Sequence, residues 1–435
     1  MMLSPSPFSL LCALLLCLPL AIIFTTTTPP STTTSATTET PSAAVVISCT
    51  TTTITGNSNN NNNSIRIRPL SALILPTPTT SQKPQEVTKD ANFSSSTASF
   101  TDSTAAQNET EVDYNDEEDN ELFRLAGRVN SNPELSPGKR KKVAFLFLTT
   151  SPLPFAPLWE LFFNQTPRNL YNIYVHADPS GSGYSPPFRG VFGNRVIPSK
   201  PTRRHTPALI AAARRLLSRA LLHDKSNYMF ALLSPSCVPL HSFNFTYNFL
   251  TKSGRSFIEI LKDEPGAYDR WAARGEEAML PEVKFENFRI GSQFFVLKRK
   301  HARAVARDKK LWSKFKLPCL STSLGACYPE EHYFPTLLNM VDPGGCVPAT
   351  LTSVDWNGSF AGHPRMYHGA EVGPELIWEL RNREPRYGGS SGGGGGPTNG
   401  SDLVRRRDPF LFARKFSPDS LGPLMSIADD VLFKD

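Results

Sequence analysis

The residues able to move a proton, hold a phosphate or carry a nucleophile fall into none of the common catalytic motifs in this chain. The folded region has no Walker loop, dinucleotide fingerprint, HExxH or GxSxG. No Asp-x-Asp pair, the usual holder of a cation on a nucleotide diphosphate, occurs anywhere. A site that handles a diphosphate here must then neutralise it with fixed cations, Arg through its bidentate fork or Lys through its point charge. Glu330 and Glu331 follow Pro329; read alone they are a solvated helix start, where the dipole favours acids. Ser234, Ser236 and Cys237 follow an apolar run, with no base placed in sequence to activate them, so they read as structural.

These residues need a scaffold, and one begins abruptly at Val143. VAFLFL is a continuous apolar run flanked by turn residues, the pattern of a strand buried on both faces. A helix is expected over PLWELFFNQ, then strands at Tyr171–His176, Arg195–Pro198 and Tyr228–Leu233. Ala208–Leu222 has helical spacing. Gln293–Leu297 reads as a further strand and His301–Lys310 as a helix. Alternating strands and helices predict an α/β fold with a mostly parallel sheet and a binding crevice at its strand ends. The stretch 388–400 reads as a glycine-rich flexible insertion.

The first third differs in kind. Residues 8–24 form an apolar run without charge, about 25 Å of helix and the short end of a membrane span. We expect a signal anchor there, with 1–7 as a short cytosolic tail and the folded part in the secretory lumen; a cleaved signal is the alternative. The following Thr/Ser/Pro/Asn-rich region to 138 lacks the apolar content to offset ordering entropy and reads as a disordered stem. Residues 139–435 form the expected lumenal domain. Seven Asn-x-Ser/Thr patterns, at Asn62, Asn92, Asn108, Asn164, Asn244, Asn357 and Asn399, agree with that location. Cys237, Cys319, Cys327 and Cys346 permit up to two disulfides of unspecified pairing. The formal charge of +7 favours anionic partners, but no nucleic-acid-reading module accompanies it.

Seven segments carry a resemblance: VAFLFLTTSPLP, YNIYVHADPS, YMFALLSPSCVPL, GSQFFVLKRKHA, CYPEEHYFPTLLN, VDWNGSFAGHPRMY and DPFLFARKFSPDS. Together, in this order over Lys142 to Ser420, they resemble the core-2/I-branching β-1,6-N-acetylglucosaminyltransferase family (glycosyltransferase family 14), nearest to its plant branch. The resemblance implies a GT-A-like nucleotide-sugar transferase fold. It implies inverting transfer of a sugar, most simply N-acetylglucosamine, from a UDP-sugar to a glycan hydroxyl without metal or other cofactor. By the same resemblance Glu331 is the general base, Arg365 and Lys415 hold the diphosphate, His176 and Asp178 bind the donor, and Trp356 stacks on the acceptor. It also implies a Golgi, single-pass type II membrane protein. Two departures bear on substrate: Pro235 stands where a Glu is expected, and Thr202–Pro207 (TRRHTP) replaces a usual Trp-Gly pair. They keep open transfer of another sugar, such as glucuronic acid to a cell-wall polysaccharide or proteoglycan, and a catalytically silent glycan-binding role.

Overall fold

The computed structural model describes residues 116–164, 166–181, 188–359, 362–388 and 407–435, all within one unit, Thr101–Asp435. The expected membrane span at 8–24, the stem up to 115, and 389–400 of the glycine-rich stretch lie outside the described residues. Among the described residues no helix is long and apolar enough to cross a membrane.

The strands are β1 (Lys142–Thr149), β2 (Tyr171–Ala177), β3 (Asn227–Leu233), β4 (Val238–Pro239), β5 (Ser256–Phe257), β6 (Val296–Lys298), β7 (Cys346–Val347), β8 (Thr352–Val354) and β9 (Phe412–Arg414). The main helices are α1 (Glu117–Ala126), α2 (Ala156–Phe162), α3 (Ala208–His223), α4 (Phe243–Lys252), α5 (Arg299–Arg307), α6 (Pro329–Val341) and α7 (Pro374–Asn382). Six strands form the central sheet in the order β2-β1-β3-β6-β5-β7. The β2-β1-β3 half is parallel, β6 runs antiparallel to both β3 and β5, and β5 pairs parallel with β7. A smaller sheet, β4-β9-β8, stands beside it.

β1 shows why its apolar run is unbroken. Side chains alternate across a strand: Val143, Phe145 and Phe147 enter one apolar layer, while Ala144, Leu146 and Leu148 enter the other. β3 does the same, with Met229, Ala231 and Leu233 on one side and Phe230 and Leu232 on the other. α2 covers the first layer through Leu158, Trp159 and Phe162, and α3 covers the second through Ile210, Leu217 and Leu221. This three-layer packing is the α/β class expected from the sequence.

Three local expectations shift. Arg195–Pro198 forms one parallel bridge, Val175 with Val196, rather than a strand. The predicted strand 293–297 is ordered as a ladder only at Val296–Lys298. The expected stem carries α1 at its end: Leu122, Phe123 and Ala126 are buried, and Asp119 accepts two hydrogen bonds from Arg215 Nε, at 2.8 and 2.9 Å. A buried Asp–Arg pair and three apolar side chains are enough to hold this short acidic segment on the domain.

Candidate active site

A cleft of about 1160 Å³ opens where β1 and β2 end, with Thr150 and Asp178 on its rim. That is the carboxyl end of a parallel sheet, where open α/β folds bind ligands. The smaller sheet closes the other side through Ser353, Val354 and Arg414. Gly291 ties two walls together: its N–H donates to the Glu331 carbonyl at 2.9 Å, and a Cβ there would stand 2.0 Å from the Glu259 carbonyl oxygen. Only glycine fits that approach.

Glu331 enters the cleft from the first turn of α6, after Pro329 at the position where a helix tolerates proline. The turn is anchored from before by the Cys319–Cys327 disulfide, and Glu331 N–H donates to the Tyr328 carbonyl at 3.0 Å. The other two domain cysteines, Cys237 and Cys346, are buried free thiols. Glu331 Oε2 accepts from Arg270 Nη1 at 3.2 Å. Burial raises the Glu331 carboxyl above the usual range, while the guanidinium groups of Arg270, Arg204 and Arg414 pull it back. A carboxyl whose proton affinity is raised by burial and tempered by neighbouring guanidinium groups suits a general base. Its neighbour Glu330 is 5% exposed, its Oε2 lacks a hydrogen-bond partner among the described residues, and burial pushes it up to about 7. Glu259, across the cleft, is likewise pushed by burial to about 7.

The cations gather from separate stretches of chain. Arg204 is hydrogen-bonded to His363 through Nη1, donates Nη2 to the Gly362 carbonyl at 3.1 Å, and lies 5.8 Å over the Tyr328 ring. Arg414 is packed 4.5 Å over Phe294, with Nε buried and unpartnered among the described residues. Burial lowers Lys415, and Arg414 and Arg204 add to the effect, so the three cations share one field. His363 is pushed to about 4 by burial and by Arg204, Lys415 and Arg414, so it is neutral at ordinary pH. Like charges held together with Glu331 as their near counterion favour an anion. Among the described residues no group of three or more His, Cys, Asp or Glu is arranged to hold a metal ion.

The structure brings together Glu331, Asp178 and Trp356 on the cleft wall, with Lys415 next to Arg414 in chain and in charge. Trp356 is 56% exposed. Asp178 is committed to its surroundings. Burial raises its carboxyl, but four hydrogen bonds from Ser180 and Thr202, at 2.5 to 2.8 Å, hold it below the usual range. His176 is fully buried and off the cleft wall; its Nε2 accepts from Lys200 N–H at 3.3 Å and burial pushes it to about 4. Arg365 is off the wall as well, paired with Glu371, 4.0 Å from Asp355 and stacked 4.8 Å over Tyr367. Arg204, Arg270 and Glu259 escaped the sequence reading as cleft residues, and Glu330 reads there only as part of a solvated helix start. Arg204 alone had a signal, in the unusual TRRHTP segment; Arg270 lies 61 residues from its partner Glu331 with nothing local to mark it.

Residues 143–381 match the family described as Core-2/I-Branching enzyme. The chain belongs to that family. It is similar to Glycosyltransferase BC10 of Oryza sativa subsp. japonica, 29% identical over 310 residues, covering 65% of this chain and 75% of that protein. The chain is therefore a glycosyltransferase, and a core-2/I-branching enzyme implies a nucleotide-sugar donor and a glycan acceptor. Glu331, Asp178, His176, Trp356 and Arg365 all fall inside the matched span; Arg414 and Lys415 fall beyond it.

Proposed function

We propose that this enzyme transfers a sugar, most simply N-acetylglucosamine, from its UDP form to a glycan hydroxyl, with inversion and without a metal ion. The observation that carries the reading is the Glu331 carboxylate, set beside a cluster of fixed cations in one cleft. Glu331 takes the acceptor proton as the hydroxyl oxygen attacks the anomeric carbon. The bond from that carbon to the diphosphate breaks on the opposite face, and its electron pair leaves with UDP. Lys415, Arg414 and Arg204 receive the charge that develops on the departing diphosphate. Arg365 joins them by exchanging Glu371 for a phosphate oxygen, a swap its partly exposed position allows. Asp178 holds the Ser180 and Thr202 loops in shape around the nucleotide, and His176 supports the strand end beneath them. Trp356 offers its exposed face to the apolar side of an acceptor ring. We place the domain in the Golgi lumen, anchored by residues 8–24.

A second donor class has one observation in its favour. Arg204 adds a cation to the cleft from the TRRHTP segment, which stands where a Trp-Gly pair is usual, and an acidic sugar such as glucuronate would use it. The test is to incubate the full chain with a panel of UDP-sugars and glycan acceptors, with and without EDTA, and follow UDP release and the product's anomeric configuration. One preferred donor, turnover indifferent to EDTA and an inverted product are expected. Turnover abolished by EDTA, or retained configuration, overturns the mechanism.

A further inference from the structure

A second pocket, of about 260 Å³, lies between α1, α3 and the segment that follows α5, and shares no lining residue with the cleft. Five cations stand on its wall, Arg124, Arg128, Arg214, Arg307 and Lys309, against one carboxylate, Asp308. That carboxylate is already engaged, accepting from the N–H groups of Leu311 and Trp312 at 3.1 and 2.8 Å and from the Tyr333 hydroxyl at 2.9 Å. Arg124 is paired with Glu121. Arg128, Arg307 and Lys309 are exposed and make no ion pair among the described residues.

Helix ends account for part of this charge. α1 and α5 both finish here, and each C-terminus carries about half a negative charge. With Glu121 and Asp308 added, the negative side still falls short of the five cations by about two charges. Arg214 is the second observation. It is 1% exposed, its guanidinium lies 4.3 Å over Phe123 and 4.9 Å over Trp312, and Nη2 donates to the Asp308 carbonyl at 2.7 Å. Among the described residues its Nε and Nη1 have no hydrogen-bond partner. Buried donors are seldom left so, and a water, an ion or another polar group commonly satisfies them.

We propose that this pocket is a second carbohydrate site that takes one acidic sugar residue of a glycan, its carboxylate or sulfate facing Arg128, Arg214, Arg307 and Lys309. The volume is below the range of about 300–1,000 Å³ typical of drug-sized ligands and suits a single ring. A glycosyltransferase works on a glycan acceptor, and that favours an acidic sugar over a bare phosphate as the occupant. A glycosyltransferase with such a site holds an acidic acceptor polymer at two points, and the tether raises the concentration of the rest of the chain near the cleft. The site does not depend on the donor chemistry proposed above and stands if that chemistry is wrong.

The test uses the full chain, calorimetric titration and four probes: a hexuronic acid tetrasaccharide, its carboxyl-reduced neutral form, inorganic sulfate, and vesicles of phosphatidylserine with phosphatidylcholine. The acidic tetrasaccharide should bind, more weakly at high ionic strength, and the paired Arg128→Glu, Arg307→Glu variant should weaken it by about tenfold or more. Both positions are exposed, so the variant should fold and release UDP from donor as the parent does; Arg214→Met serves as a second variant wherever it folds. Equal binding of the neutral tetrasaccharide, or unchanged affinity in the double variant, overturns the proposal. Sulfate binding as tightly as the tetrasaccharide reduces the pocket to a small-anion site, and vesicle binding without tetrasaccharide binding moves it to a membrane surface; either result overturns the carbohydrate assignment.

Discussion

Replacing Glu331 by Gln is the sharpest probe of the cleft, because the structure separates what the change removes from what it keeps. The amide oxygen still accepts the Arg270 N–H now held at 3.2 Å, so the first turn of α6 keeps its contact while the base is lost. General-base catalysis contributes about 10²–10⁴-fold, which is about 2.7–5.4 kcal/mol of barrier. Donor affinity should move the other way. Glu331 partly neutralises Arg270, Arg204 and Arg414, and without it the cleft is more positive, so UDP binds equally well or more tightly. UDP release under saturating donor and acceptor measures kcat, and titration with UDP measures affinity. The acid limb of the parent's pH profile should also go. Glu331 works only when ionised, so activity falls as pH falls through a pKa that burial raises above the ordinary 4.5, and Gln has no such step. A loss of less than about tenfold in kcat, an equal loss in Glu330→Gln, or a collapse of UDP affinity would refute the assignment.

Lys415→Met should weaken UDP binding by about ten- to a hundredfold, the worth of a hydrogen bond to a charged group, with unchanged melting temperature; calorimetry reads both. Trp356→Ala should raise the KM for acceptor and leave that for donor, since the side chain is 56% exposed and packs little of the fold. Glu330→Gln should alter stability with pH. Burial moves Glu330 from 4.5 to about 7, so between those values the folded chain keeps a proton that the unfolded chain has lost. Stability then falls as pH rises through that window, by up to roughly 3 kcal/mol, and the Gln variant should melt above the parent at pH 8. Cys319→Ser should lower unfolding free energy by roughly 2–3 kcal/mol, the loop-closure value for a bridge spanning eight positions, as denaturant titration would show.

The parallel core was legible because each of its strands is buried on both faces, and an apolar run such as VAFLFL has few other uses. Arg195–Pro198 misled for the converse reason: four residues at a sheet margin carry strand-like composition whether they make a ladder or one bridge. α1 was hidden by its acids. Asp119 looks solvated until Arg215, 96 residues on, is found against it, and no local pattern announces such a pair. The cleft divides along the same line. Glu331 sits in a compact helix start that reads alone as a solvated acid and is marked only by the family resemblance, whereas the guanidinium groups that tune it come from positions 204, 270 and 414 and meet only in the fold.

That distribution has a consequence for catalysis on the proposed reading. In the empty cleft the three guanidinium groups stabilise the ionised form of Glu331 and so hold down its basicity. A bound diphosphate competes for the same positive charge. As Arg204 and Arg414 turn toward phosphate, Glu331 loses part of what keeps it a weak base, and its affinity for the acceptor proton rises. Donor binding therefore prepares the base for the acceptor, through charge alone and with no movement of the backbone. Linkage requires the reverse as well: protonating Glu331 frees the cations and tightens the hold on the departing UDP at the moment its charge develops.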